Sequence, residues 1–145
     1  MRLLADGAWA GNGRIEIDQA KALAGGVTLG DAALFPVTLD SPGSCVLTSD
    51  LVMSSASARG IEVTASDVTI DLNGFTVRGL VTCSTPGAAQ QITCTAGARE
   101  GIRAVASLEN VAVVNGGVQG FGSRCIERRC CGGVATELTD PEDEP

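Results

Sequence analysis

One order of short β-runs occurs twice in this chain. Gly60-Ile61-Glu62-Val63, Asp67-Val68-Thr69-Ile70 and Asn73-Gly74-Phe75-Thr76-Val77-Arg78-Gly79 return as Gly101-Ile102-Arg103-Ala104, Asn110-Val111-Ala112-Val113 and Asn115-Gly116-Gly117-Val118-Gln119-Gly120. Three runs joined by tight turns describe one coil of a solenoid. Such a coil cannot bury its apolar interior alone, so stacking of coils is what makes the core. Within the first unit Val68, Ile70 and Leu72 alternate with Thr69 and Asp71, which turns the apolar set inward and the polar set outward. Phe75 and Val77 follow inward on the next run, and Val111, Val113 and Val118 repeat the pattern.

Composition agrees with short strands and sharp turns. Glycine supplies 19 of 145 residues, aromatics are 3% and tyrosine is absent, which argues for an all-β chain over a helical bundle. The length is that of a single domain. A formal net charge of −7 opposes nucleic acid and anionic lipid, both of which require a basic surface. No apolar run approaches the ~20 residues that span a bilayer, so no membrane association is expected. The start Met1-Arg2-Leu3-Leu4-Ala5-Asp6 breaks off before a signal-peptide core, which predicts a soluble chain without an export signal. The compartment is left open.

Six cysteines and no histidine narrow the chemistry further. Triads and Cys-His nucleophiles are excluded, and a Cys₄ zinc site would need two close pairs, whereas only Cys130 and Cys131 are adjacent. Those two follow Arg128-Arg129 and precede Gly132-Gly133, and they read as inert tail thiols or as an intermolecular disulfide. Cys83 and Cys94 flank a polar loop and form the candidate disulfide, closing an excursion from the scaffold. That excursion also accounts for the 41 residues between Gly60 and Gly101, too many for one plain coil of roughly 20–25 residues.

Along the chain, residues 1–13 read as an irregular lead whose single tryptophan, Trp9, anchors the segment to the core. Ile15 to Ala24 reads as a helix with Ile17, Ala20 and Leu23/Ala24 on one face and Gly25-Gly26 as its stop, placed to cap the first coil. Coils are expected over about 35–126, beginning at Val37-Thr38-Leu39, turning at Asp40-Ser41-Pro42-Gly43, and continuing with strands near Cys45–Leu47 and Leu51–Met53. After Cys125-Ile126 the alternation is lost, so 1–126 reads as one domain and 127–145 as an irregular acidic tail, disordered from Glu137. An uncapped last coil is a strand template, which predicts a homo-oligomer.

The Phe35–Leu51 segment with its Pro-Gly turn, the Gly60–Phe75 segment with Asp67-Val68-Thr69-Ile70-Asp71-Leu72-Asn73-Gly74, and Val113–Gly122 resemble the opening coils of right-handed parallel β-helix proteins of the pectate-lyase-like superfamily. The resemblance covers about residues 15–126 and implies a short β-helix of about three coils with an N-terminal helical cap. It implies no single activity, because that superfamily spans lyases, hydrolases and adhesins. Its polysaccharide lyases use acidic Ca²⁺ ligands and a basic residue, which makes Glu62, Asp67, Asp71, Arg78 and Arg103 the candidate ligand-binding set. Against that stands the equivalence of Glu62 and Arg103 on successive coils, where an ion pair is expected. Asn73 and Asn115, each before a glycine, fit corner positions with left-handed backbone and side chains bonded along the stack. No paired carboxylates suit glycoside hydrolysis. The resulting expectation is a non-catalytic structural or interaction module without cofactor that self-assembles through the end or a face of the β-helix, with polysaccharide contact along a side as a secondary role; the alternative is a minimal or remnant Ca²⁺-dependent lyase on acidic glycans.

Overall fold

The structure, a computed structural model, describes residues 13–84, 93–95, 99–105, 107–122, 126–128 and 136–137, with backbone alone at 83, 93, 94, 126–128, 136 and 137. Its elements are β1 (Ile15–Ile17), α1 (Gln19–Ala24), β2 (Val37–Leu39), β3 (Gly43–Leu47), β4 (Leu51–Val52), β5 (Ile61–Val63), β6 (Val68–Asp71) and β7 (Thr76–Arg78). There follow β8 (Cys83–Ser84), β9 (Thr93–Cys94), β10 (Ile102–Ala104), β11 (Val111–Val114), β12 (Gly117–Gln119), β13 (Ile126–Arg128) and β14 (Thr136–Glu137). From β2 onward the chain visits three parallel sheets in a fixed rotation, a four-stranded one (β2-β5-β10-β13), a five-stranded one (β1-β3-β6-β11-β14) and a three-stranded one (β4-β7-β12). The fold is all-β in character, with one six-residue helix among the described residues.

Alternation sets the core. Val37 and Leu39 pair in register with Ile61 and Val63, and these with Ile102 and Ala104. In the five-stranded sheet Cys45, Ile70 and Val113 stack in one row, and in the three-stranded sheet Leu51, Val77 and Val118 do the same. All of these side chains are buried, and they join in one cluster shared by the inward faces of the three sheets. A parallel ladder in perfect register puts like upon like, so branched side chains fill successive layers without gaps.

The two repeat units differ at two corners, the first because four residues separate β5 from β6 but six separate β10 from β11. At the second, four residues separate β6 from β7, but only Asn115 and Gly116 separate β11 from β12. Gly116 makes the shortcut feasible: a Cβ there would collide with the Leu72 side chain and lie 2.6 Å from Phe75 O. The excess length between the units is the antiparallel hairpin β8-β9, which stands apart from the parallel sheets as the spacing required.

The N-terminal element departs from the expected helix over 15–24. Ile15–Ile17 is strand β1, paired in parallel with Cys45–Leu47, and the helix begins only at Gln19, with Asp18 as N-cap accepting from Lys21 N at 2.8 Å. The face read from Ile17 therefore does not run on into the helix. Ala22 is its buried residue, while Ala20, Leu23 and Ala24 are exposed. At the other end, backbone pairing extends past Ile126, since β13 joins β10 and β14 joins β11 although the sequence there has lost its apolar alternation. A ladder needs only N–H and C=O groups, which side-chain pattern does not reveal. Trp9, Cys125, Cys130, Cys131 and the tail from residue 138 lie outside the described residues.

Candidate functional site

On the outward face of the four-stranded sheet, four charged side chains of the described residues form a network. Arg59 and Glu100 occupy the position before the repeat glycines Gly60 and Gly101, and Glu62 and Arg103 lie in register on β5 and β10. Arg59 Nε donates to Glu100 Oε2 at 2.8 Å while its Nη1 bonds Glu62 Oε2, and Arg103 Nη1 stands 3.8 Å from that same oxygen. The two cations and two anions cancel. With Arg59 and Glu100 only about an eighth exposed, the network is held by neighbouring side chains rather than open to a ligand. Glu62 and Arg103 thus form the expected cross-strand pair, but Arg59 is the centre of the group. Its sequence signal was available: Arg59 and Glu100 are equivalent residues of the two units with opposite charge, as Glu62 and Arg103 are.

The acidic candidates of the five-stranded sheet are occupied in a different way. Asp67 and Asn110 share the corner before β6 and β11, both with left-handed backbone (φ 60° and 54°), and Asn110 Nδ2 donates to Asp67 Oδ1 at 2.8 Å. Asp71, at the end of β6, takes Arg14 Nη2 on Oδ2 at 2.8 Å and the Asn73 backbone N–H on Oδ1 at 2.8 Å, with Asn115 Nδ2 at 3.3 Å from Oδ1. Asn73 and Asn115 take the expected left-handed corners (φ 53° and 59°). They do not bond each other: Asn73 Nδ2 donates to Leu47 O at 3.2 Å, so each amide reaches back to the preceding pass. Arg78 lies on the three-stranded sheet, exposed on β7. The five candidate residues are therefore spread over three sheets, and only Glu62 and Arg103 are in contact.

The Arg14 guanidinium holds the Asp71 carboxyl below its ordinary value, with the Asn73 N–H and Asn115 amide acting in the same direction against partial desolvation. A carboxyl depressed in the folded state stabilises above its unfolded value of ~3.9, and that stability is lost as pH falls through the folded value. Arg14→Ala should then leave stability at pH 7 lowered by less than about 1 kcal/mol, because the pair is part-exposed, and should remove part of the loss seen as pH falls below about 4. Urea midpoints of both chains over that range measure it. Cys45 behaves oppositely: burial pushes its thiol up to about 11, so it is a neutral core group at physiological pH.

The hairpin gives the candidate disulfide a backbone geometry. Cys83 lies directly opposite Cys94 in the β8-β9 register, and the adjacent pair Thr82 and Thr95 is joined by Thr95 N donating to Thr82 O at 2.9 Å. Hydrogen-bonded and non-bonded pairs alternate, which places Cys83 and Cys94 at a non-bonded pair with Cα atoms roughly 4.5 Å apart, inside the range a disulfide spans. Peptide mapping of the air-oxidised, non-reduced chain should recover Cys83 and Cys94 in one linked peptide. Recovery as two separately alkylated peptides would contradict the pairing.

Among the described residues no three His, Cys, Asp or Glu side chains converge to hold a metal ion, and no helix is long and apolar enough to cross a membrane. No family model, no curated protein and no solved structure matches the chain.

Proposed function

We propose that the chain is a short right-handed parallel β-helix of the pectate-lyase-like type, and that it is a non-catalytic structural module that associates with further copies through the end of its stack. Support for the helix comes from the fixed rotation through three parallel sheets around one core. Parallel crossovers are right-handed in about 98% of cases, which favours that hand. Support for a non-catalytic role comes from the spending of its outward carboxylates on Arg14, Arg59, Arg103 and Asn110. Contact with carbohydrate along a side is secondary to the association.

The observation that carries the association is the outer edge of β12. Gly117 N donates to Phe75 O and Gln119 O accepts from Gly79 N, so the alternation of the ladder turns Val118 N–H and C=O away from β7. Among the described residues no strand pairs with that edge. An open edge is a template for another strand.

Two variants test it by light scattering. Gln119→Lys adds an exposed edge charge and Val118→Pro removes the outward N–H while keeping an apolar inward residue. Both should reduce a discrete oligomer to the single chain, at least a tenfold weakening, with the circular dichroism unchanged. An oligomer indifferent to Gln119→Lys would overturn the choice of edge. Cleavage of an acidic polysaccharide with Ca²⁺, lost in a folded Asp67→Ala chain, would overturn the non-catalytic reading.

A further inference from the structure

A parallel stack has two ends, and each exposes one strand edge per sheet. At the end where the described chain begins, the edges of two sheets are closed by side chains that imitate a strand, and the third ends in a three-residue strand. In the three-stranded sheet the edge strand is β4, and its outward pair is Val52 N–H and C=O. The Gln19 side-chain amide takes both: Oε1 accepts from Val52 N at 2.8 Å and Nε2 donates to Val52 O at 2.9 Å. A primary amide carries the same donor and acceptor as a peptide unit, so one side chain replaces a strand. Gln19 is itself fixed by its backbone N–H, bonded to Ser49 Oγ at 2.9 Å.

In the four-stranded sheet the edge strand is β2, whose inward bonds run to β5 through Val37 N and Leu39 O. Thr38 therefore presents its N–H and C=O outward. Asp31 Oδ1 accepts from Thr38 N at 2.7 Å and Thr28 Oγ1 donates to Thr38 O at 2.7 Å, and the second Asp31 oxygen is held by Val27 N at 3.0 Å. Asp31 and Thr28 are the buried polar residues of the described chain, an expense that a solvated loop would not require. In the five-stranded sheet the edge is covered by β1 itself, three residues long, with Lys21 Nζ on the outward Glu16 O at 3.3 Å.

Among the described residues the opposite end has no counterpart. Val118, which occupies the same register row as Val77 and Leu51, meets no side-chain clamp among the described residues.

We propose that Gln19, Asp31, Thr28 and β1 form a terminating cap that disfavours strand addition by a second copy at one end of the stack, so that two copies join tail to tail through the opposite end, where β12, β13 and β14 are the outermost strands of their sheets. A head-to-tail contact would repeat without limit, whereas a tail-to-tail contact is isologous and closes at two. This rests on the end-association reading above, and the test separates the two.

The test joins hydrogen exchange at the Val52 and Thr38 amides with light scattering, on the intact chain and on Gln19→Ala and Asp31→Ala. Both amides should be protected in the parent, and each should exchange about tenfold faster in the variant that loses its clamp. Gln19→Ala should convert the discrete dimer into species whose mass grows with concentration, and adding Gln119→Lys should reverse the growth. Gln19→Glu keeps the acceptor for Val52 N but not the donor to Val52 O, and carries the same readout if the alanine variant does not fold. Faster Val52 exchange without larger species would overturn the cap, as would unchanged exchange. A monomeric parent whose cap variants still polymerise would overturn the end-association reading alone.

Discussion

Gly79→Ala should lower stability by about 3 kcal/mol, moving a urea midpoint down by roughly 1.5 M. The reason is backbone stacked on backbone. Gly79 N donates to Gln119 O at 2.8 Å and Val81 N donates to Gly120 O at 2.9 Å, so the strand leaving β7 lies flat against the next pass. A methyl group at Gly79 would overlap Gly120 O, lie 2.8 Å from its carbonyl carbon and press on the Phe121 ring at 3.1 Å. Two of these are backbone atoms, which cannot rotate away, so relief requires opening the ladder itself. The exposed neighbour Arg78→Ala supplies the contrast, with an expected change within about 0.5 kcal/mol. Equal effects of the two substitutions would mean that the passes are not in contact at this point.

Ile70→Ala should cost about 3–4 kcal/mol, and Ile70→Val about 1 kcal/mol. Ile70 has no exposed surface and sits between Cys45 and Val113 in the register of the five-stranded sheet. Its row is enclosed above and below by whole strands, so the cavity left by truncation cannot collapse without shifting a ladder. Val46, outward on the adjacent strand and partly exposed, should lose less than half as much on truncation to alanine. Denaturant titrations of the variants measure both. An Ile70→Ala cost below about 1 kcal/mol would contradict a shared interior.

Much of this architecture was legible in the residues because a stacked parallel fold copies its pattern. Ile61, Val68, Ile70 and Val77 and their counterparts Ile102, Val111, Val113 and Val118 were paired by sequence alone, and the ladders pair them identically. The same copying made the Glu62–Arg103 contact readable. Where copying fails, sequence reading failed with it. Ile15–Ile17 has one apolar alternation and no second copy in the repeat, so three residues of strand were absorbed into a helical period that begins at Gln19. β13 and β14 pair through backbone groups, which leave no mark on composition.

The candidate site was legible by residue type but not by placement. Asp67 and Asp71 are four positions apart, and a strand carries the second to the far end of β6, beside Arg14, a residue 57 positions away. Nothing local announces such a partner. The clamps on Val52 and Thr38 escaped for a related reason: Gln19 and Asp31 are ordinary polar residues in sequence, and their role depends on meeting an edge formed by strands that come later in the chain. Interactions that close a sheet edge have no period.

Light scattering across a concentration series, with and without reductant, tests the central claim most directly. A closed species of twice the 14.6 kDa chain mass, holding its mass as concentration rises and unaffected by reductant, is the result expected of a stack capped at one end and joined at the other. A single-chain mass at every concentration would contradict association through the stack end, and a mass that climbs without limit in the parent chain would contradict the cap.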